Sequence, residues 1–371
     1  MFVNVDWFFL SHRLPIAQAG PYHNVNFTVF TDFTKDHPIA EYENFHLLQS
    51  PLKRSSKTKL HFLTECFKTS LLIRNLRPDL VHAVSIKPII VLGVICRITR
   101  TPFVASISGL GPAFKVKNIF EAFRLKLVTL IYKFIFKSKK SKVICQTQND
   151  IDILTSIKVT SQAQTTLIEG SGVELSKYLK TNPYTCPPFS VLMASRILTD
   201  KGVYEFCASA LRIKEETNFD VHFKLAGPID KDSPTAIKLD ELERICHKSK
   251  VQYLGNISNL HLLLNTTDVF VLPSYYPEGL PKVLLEASAS GCAIVTTDHA
   301  GCRDAIVPGK TGVLVEPQDS NSLMEGILKF LRDPKSIRVM GTNGRLLAEK
   351  RFCQRNVVKK HYEIYEKFRS N

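Results

Sequence analysis

Arg196 and Lys201 stand five residues apart in SRILTDKGV, where an apolar run gives way to the first turn of a helical pattern. Two cations at that spacing suit a pyrophosphate clamped from both sides, at a helix N-terminus whose free N–H groups and dipole already favour phosphate. The competing reading makes them solvated loop charges with Thr199 or Asp200 as the N-cap, and the pattern alone prefers it. A second segment, YYPEGLPKVLLE, again runs from a strand end through a glycine turn and a proline at the first helical position. It sets Glu278 just before the helix and Glu286 about two turns later. Each carboxylate accepts hydroxyl hydrogen bonds, so the pair suits two polyols, such as a ribose and a hexose, with phosphates between them at the helix start. The alternative is a surface ion pair of Lys282 with Glu286, worth about 0.2–0.5 kcal/mol. Against it, Glu286 is embedded in the apolar run VLLEASASGCAIV, where an unpartnered carboxylate is expensive to bury.

A third feature is basic. Between Phe114 and Lys142 nine Lys or Arg face the single acid Glu121, and the apolar residues recur at helical spacing. Such a helix suits an anionic membrane surface, where each nearby cation contributes about 1 kcal/mol, or else packs as an ordinary amphipathic helix. The cluster Lys137, Lys139, Lys140 and Lys142 favours the membrane. Other patterns are decoys. Asp150-Ile151-Asp152 sits at a helix start, where capping explains it better than a metal. Gly109-Leu110-Gly111 lacks the rest of a dinucleotide fingerprint, so no NAD is expected. The lone His12 and His82, near strand ends, have no Ser or Cys partner pattern for a triad.

These segments need elements to position them. Short apolar runs alternate with helical patterns, the signature of parallel sheets covered by helices. Strands are expected near 2–5, 26–30, 80–84, 103–107, 143–145 and 166–168, and again at 189–194, 221–226, 251–254, 268–273 and 293–297. Helices are expected at 201–216, 235–247, 259–265 and 281–290. Three prolines between Asn182 and Pro188 mark a boundary. Two tandem doubly wound domains follow, with ligands at the carboxyl ends of strands. The sequence carries 49 basic and 34 acidic residues, a net charge of +15, which calls for an anionic partner. The first 180 residues hold 24 basic and 12 acidic side chains against 25 and 22 in the rest, so that partner is met mainly by the first half. Nine scattered cysteines with no paired spacing read as reduced thiols of a cytoplasmic protein. No secretory signal is evident and no apolar run is long enough to span a bilayer, so membrane contact is expected to be peripheral.

Taken in order, SRILTDKGVYEF, LAGPID, VQYLGNI and the long segment 268–317 resemble family 4 glycosyltransferases. VNVDWFFLSHRLPIA, ISGLGPAF, CQTQNDID and IEGSGVEL are similar to a bacterial surface-polysaccharide branch that acts on undecaprenyl-diphosphate-linked sugars. The resemblance implies an α/β GT-B fold, two Rossmann-like doubly wound domains facing across a cleft. They would be an acceptor domain at 1–180, a nucleotide-sugar domain at 186–353 and a final helix in 354–371 crossing back. It further implies that Glu278 contacts the transferred sugar and Glu286 the ribose. Arg196 and Lys201 would bind the diphosphate and offset charge on the leaving nucleotide, so that neither a metal nor another cofactor is required. Gly227, Ile257 and the backbone of Gly279 and Leu280 would complete the donor site, and His12 joins the four lysines on the acceptor and membrane side. Many relatives carry a His after the fourth or fifth strand, where this chain has Ser106-Ile107-Ser108-Gly109, and the strand-one loop Asp6–Ser11 lacks their glycines.

The expected activity is retaining transfer of a hexose or N-acetylhexosamine from a UDP-sugar to a lipid-linked saccharide, at the anionic inner face of the plasma membrane. Front-face attack, with the leaving phosphate taking the acceptor proton, needs no protein base. A UDP-sugar 2-epimerase of the same fold fits the motifs less well. A nucleic-acid-binding protein driven by charge alone has no recognition motif to support it.

Overall fold

The computed structural model describes residues 1–34, 42–56, 58–111, 114, 118–180, 186–230 and 233–369. The chain forms two compact units, Met1–Ser171 with Gln354–Asn371, and Gly172–Cys353. In the first, seven parallel strands lie in the order β3-β2-β1-β4-β5-β6-β7. They are β1 (Phe2–Val3), β2 (Phe27–Thr31), β3 (Phe45–Gln49), β4 (Val81–Val84), β5 (Phe103–Ile107), β6 (Ser141–Cys145) and β7 (Thr165–Leu167). Strand order reverses between β1 and β4, where Phe2 pairs with both Phe30 and Ala83. The connecting helices are α1 (Asp6–His12), α2 (Leu14–Gln18), α3 (Lys59–Leu76), α4 (Ile86–Thr99), α5 (Ile119–Phe136) and α6 (Gln148–Ser156).

Local chemistry sets several of these boundaries. The side chains of Thr58, Asn118 and Thr147 accept from the backbone N–H three residues on, capping α3, α5 and α6. The Asp150-Ile151-Asp152 motif is accordingly the first turn of α6, and Asp152 accepts from Gln148 at 2.8 Å.

The second unit has six parallel strands in the order β10-β9-β8-β11-β12-β13. In chain order its elements are β8 (Phe189–Ala194), α7 (Val203–Glu216), β9 (Val221–Ala226), α8 (Leu239–Ser249), β10 (Val251–Tyr253), α9 (Leu260–Asn265) and β11 (Val269–Leu272). They continue with α10 (Lys282–Ala289), β12 (Ala293–Thr297), α11 (Ala300–Asp304), β13 (Gly312–Val315), α12 (Ser320–Arg332) and α13 (Pro334–Leu347). Its central strands are buried on both faces, as a parallel sheet covered by helices requires. The last helix, α14 (Gln354–Glu366), belongs to the first unit, where the Tyr362 hydroxyl donates to the Ile16 carbonyl at 2.6 Å.

Three expectations are corrected. Asp6–Ser11 is helical rather than a loop, because the Asp6 carboxylate accepts from the N–H of Trp7 at 2.7 Å and from Thr34 at 2.8 Å, fixing the turn that starts α1. Strands β3 and β13 were not anticipated; the FHLLQ and GVLV runs are too short to signal a strand without their neighbours. Finally, residues 172–180 belong to the second unit rather than the first. Val173 N–H donates to the Phe352 carbonyl at 2.8 Å, and Arg345 donates to the Leu175 carbonyl at 3.3 Å. The expected boundary at Asn182–Pro188 falls largely on 181–185, outside the described residues.

Candidate functional site

Strand β8 ends at Ala194 and delivers Ser195 and Arg196 to the carboxyl edge of the second sheet, followed by a 3-10 turn at Thr199–Lys201 and then α7. Gly202 makes that turn possible. It sits at φ +83°, and a Cβ there would lie 2.4 Å from the Pro273 carbonyl oxygen. Lys201 is thereby folded inward and its side chain is only 6% exposed, so it is not a solvated loop charge.

At the exit of β9, Gly227 holds φ +141°, and a Cβ would come within 1.7 Å of the Ser195 carbonyl oxygen. Only glycine lets these two strand ends touch. The Gly227 N–H donates to Gly255 at 2.7 Å, and its carbonyl accepts from the Tyr253 hydroxyl at 2.9 Å. The exits of β8, β9 and β10 are thus tied into one floor.

The β11–α10 loop closes the site from the other side. Tyr275 N–H donates to the Asp200 carbonyl and its hydroxyl to the Thr199 carbonyl, both at 3.0 Å. The neighbouring Tyr276 ring carries both cations: the Arg196 guanidinium lies 5.5 Å and the Lys201 ammonium 4.9 Å from its centroid. Lys201 makes an ion pair with Glu278, and Arg196 one with Asp230 at 2.8 Å. Burial works against the Arg196 charge, but Asp230 and Tyr276 outweigh it and hold its pKa above the ordinary value.

A cavity of about 230 Å³ opens among these groups, lined by Arg196, Lys201, Gly227, Ile257, Glu278 and Lys282 together with their neighbours. Five of the expected donor-site residues therefore meet in one place. Gly279, Leu280 and Glu286 do not line the cavity. Leu280 turns its side chain into the core, and Gly279 is pressed against Gly301 so closely that a Cβ on Gly301 would lie 2.1 Å from the Gly279 carbonyl oxygen. Glu286 lies one turn of α10 beyond Lys282, accepting from the Tyr178 hydroxyl at 2.9 Å and paired with the Lys282 ammonium at 3.5 Å. Burial, and then the Glu286 carboxylate, push the Tyr178 phenol up. The i,i+4 pair of Lys282 and Glu286 exists, but with Glu286 12% exposed it is an inward pair rather than a surface one.

Sequence reasoning missed Tyr178, Asp230 and Tyr276. Tyr178 and Asp230 lie 108 and 34 residues from the side chains they hold, a separation no local pattern reports. The signal for Tyr276 was its place in YYPEG, two residues before the Glu278 already singled out.

In the first unit, His12 ends α1, at the carboxyl edge of the sheet, with its ring stacked on Phe8 at 4.2 Å and its Nδ1 2.5 Å from the Ser11 hydroxyl. His82 is structural. Its Nδ1 meets the Tyr365 hydroxyl and its Nε2 the Ser106 hydroxyl, each at 2.7 Å. Burial, then His361 and Arg13, hold its pKa well below the ordinary range. Arg13, not singled out by the sequence, is a buried cation whose guanidinium donates to the Ser108 hydroxyl at 3.3 Å; burial lowers it to about 10, although Tyr365 acts the other way.

Lys137, Lys139 and Lys140 lie in the turn between α5 and β6, and Lys142 lies within β6. Lys139, Lys140 and Lys142 line a depression of about 820 Å³ with Glu363, Glu366 and Lys367. The turn leads into the amino end of β6, opposite the edge where ligands of such sheets bind. The cluster therefore stands at the amino edge of the first sheet. Among the described residues, no three His, Cys, Asp or Glu side chains are grouped to hold a metal ion, and no helix is long and apolar enough to cross a membrane.

Comparison with known proteins agrees with this arrangement. The family Glycosyl transferases group 1 matches residues 185–347, and the family Glycosyl transferase 4-like matches residues 1–147. The chain is 29% identical over 297 residues to the N,N'-diacetylbacillosaminyl-diphospho-undecaprenol alpha-1,3-N-acetylgalactosaminyltransferase of Campylobacter jejuni, covering 76% of this chain and 75% of that one. It is 26% identical over 294 residues to the UDP-Gal:alpha-D-GlcNAc-diphosphoundecaprenol alpha-1,3-galactosyltransferase of Escherichia coli, covering 74% and 71%. Among solved structures, Anabaena HepE in complex with UDP superposes with a TM-score of 0.73 at 17% identity over 99% of each chain. Two doubly wound units, each matched by its own glycosyl transferase family in the same order along the chain, identify this protein as a glycosyltransferase of the GT-B fold.

Proposed function

We propose that the enzyme moves a hexose or N-acetylhexosamine from a UDP-sugar, with retention of configuration, onto an undecaprenyl-diphosphate-linked saccharide used in bacterial surface glycan assembly. The observation that carries this reading is the convergence of Arg196, Lys201, Gly227 and Glu278 on one cavity at the carboxyl edge of the second sheet. Relatives whose names specify undecaprenyl-diphosphate acceptors, one of them with UDP-galactose as donor, support the choice of substrates.

In this reading Arg196 and Lys201 take the donor diphosphate, exchanging their present carboxylate partners for phosphate oxygens. The two cations then offset the charge that develops on the departing nucleotide, which is where a transferase without a resident metal needs them. Glu278 accepts from a hydroxyl of the transferred sugar, and Gly227 lets the donor approach the backbone. Glu286, fixed by Tyr178 and Lys282, accepts from the ribose hydroxyls once the nucleotide seats over α10. The departing phosphate oxygen takes the proton of the attacking acceptor hydroxyl on the same face of the sugar, so the anomeric configuration is kept. The acceptor reaches the first unit at the carboxyl edge of its sheet, near His12, while Lys137, Lys139, Lys140 and Lys142 rest against anionic lipid.

The test is a transfer assay in excess EDTA with a panel of UDP-sugars and a short-chain polyprenyl-diphosphate saccharide, the product anomer being read by NMR. An α-linked product from an α-linked UDP-sugar supports the proposal. An inverted product, or epimerised UDP-sugar with no acceptor consumed, overturns it.

A further inference from the structure

In the first unit the chain passes from β3 to β4, from β4 to β5 and from β5 to β6, always advancing in the same direction across the sheet. Right-handed crossovers therefore place α3, α4 and α5 in one layer on one face. The layer is tightly packed within itself. Gly93 of α4 lies so close to α5 that a Cβ would sit 2.7 Å from Ile135, and Lys87 at the start of α4 pairs with Glu65 of α3 at 3.1 Å. The inward faces need no further partner.

The outward faces are also apolar. Along α5, Ile119, Phe123, Leu127, Leu130 and Phe134 recur at spacings of three and four, a continuous stripe opposite the buried Val128, Tyr132 and Ile135. Phe120 beside it is 83% exposed and Phe123 70%. Along α3, Leu60, Leu63, Phe67 and Leu71 form a second stripe, with Phe67 65% exposed, and Ile98 at the end of α4 is 71% exposed. Soluble proteins scatter single apolar residues over their surfaces; two aligned stripes in one helical layer are an interaction face. Its flanks are cationic. Lys59, Lys68 and Arg74 on α3 and Arg124, Lys126 and Lys133 on α5 are exposed, and Lys137 continues the α5 face. The only acid of α3, Glu65, is turned inward onto Lys87.

We propose that this face, formed by α3 and α5 with Ile98 between them, is the surface by which the enzyme lies on an anionic bilayer, with its apolar stripes among the acyl chains and its flanking cations at the headgroups. Aliphatic and aromatic side chains bordered by Lys and Arg match the depth profile of a lipid interface, whereas a protein partner would need complementary acids of its own. The α5 stripe was visible as part of a basic amphipathic segment, but α3 was not, and it doubles the contact. The choice of lipid as the occupant rests on the lipid-linked acceptor proposed above.

Vesicle sedimentation tests it, using the full chain with vesicles of phosphatidylcholine alone or mixed with phosphatidylglycerol. The wild type should bind the mixed vesicles. Combining Phe67→Ser, Phe123→Ser and Leu127→Ser should lower the partition coefficient by about a hundredfold or more, since each change removes buried apolar area. Lys126→Gln with Lys133→Gln should lower it about tenfold on mixed vesicles and little on phosphatidylcholine alone. Unchanged partitioning of the apolar variant overturns the proposal. So does wild-type protein that ignores vesicles but forms a dimer that the apolar variant dissociates, because the face is then a protein interface. All these positions are exposed and none lines the donor cavity, so melting temperature and its response to UDP should match wild type. Loss of vesicle binding with the UDP response intact isolates the docking face. A missing UDP response in the wild type faults the donor assignment instead.

Discussion

Glu278 offers a perturbation whose two consequences run in opposite directions. In the ligand-free protein its carboxylate neutralises Lys201, a side chain only 6% exposed, and both line the donor cavity. A diphosphate seated on Lys201 brings negative charge to about 6 Å from that carboxylate, a repulsion of about 3 kcal/mol per charge at an effective dielectric constant of about 20. Because the Glu278 side chain is 26% exposed, solvent and counterions reduce this to about 1–1.5 kcal/mol. Glu278→Gln removes the repulsion and leaves a neutral acceptor for Lys201. UDP, which lacks the sugar, should therefore bind the variant about tenfold more tightly by calorimetric titration. Transfer from the UDP-sugar should nevertheless fall by about a hundredfold or more, because the sugar contact is lost. Without ligand the variant should melt at a lower temperature, the buried cation having lost its counter-charge, and UDP should recover more of that loss than it adds to the wild type. Weaker UDP binding combined with unchanged transfer would refute the reasoning, since Glu278 would then be acting on the nucleotide and not on the sugar.

Gly227→Ala should abolish the UDP-induced rise in melting temperature, because its Cβ would be 1.7 Å from the Ser195 carbonyl oxygen at a φ of +141°, and relief requires moving the strand ends that carry Arg196. A normal UDP response in a folded Gly227→Ala protein would show that the floor of the cavity does not matter. Acid should destabilise the first unit through its buried histidines. Burial, then Arg13, holds His361 at about 3, while a backbone contact with Val357 opposes them. The folded value lies below the unfolded one of about 6.5, so the stability is present above that pH and is lost on acidification towards 3, at up to about 1.4 kcal/mol per pH unit. His82, held down by burial and by the neighbouring His361, Arg13 and Met1 amine, acts in the same direction. Urea unfolding between pH 7 and pH 5 should show this slope and His361→Gln should flatten it; equal slopes would exclude the histidine as its source.

The alternation of short apolar runs and helical patterns made both sheets legible, and β5, β8, β9 and β12 fall where the apolar residues place them because buried parallel strands read as continuous runs. Edges were harder. β3 lies at the rim with four of its five residues not fully buried and a polar His46 among them, so it lacks the signal of a central strand. The site was legible where function compresses chemistry into a turn, as at Arg196, Lys201 and Glu278. It was not legible where tertiary contacts supply the partner. Tyr178, expected at the end of the first domain, holds Glu286, Asp230 pairs with Arg196 across the β8–β9 exits, and Arg13 is a buried cation answering to Ser108 from 95 residues away. The outward stripe on α3 escaped because its spacing is that of any amphipathic helix; only exposure tells which stripe faces the sheet and which does not.

The central claim, that the cavity of the second unit holds the uridine diphosphate portion of the donor without a metal, is tested most directly by melting the purified protein with UDP, GDP and ADP in excess EDTA, alongside Arg196→Ala. A ligand that binds only the native state raises the melting temperature in proportion to its occupancy. The account predicts a rise with UDP alone that Arg196→Ala removes. A rise only when a divalent cation is restored, an equal rise with GDP, or a UDP response that survives Arg196→Ala would contradict it.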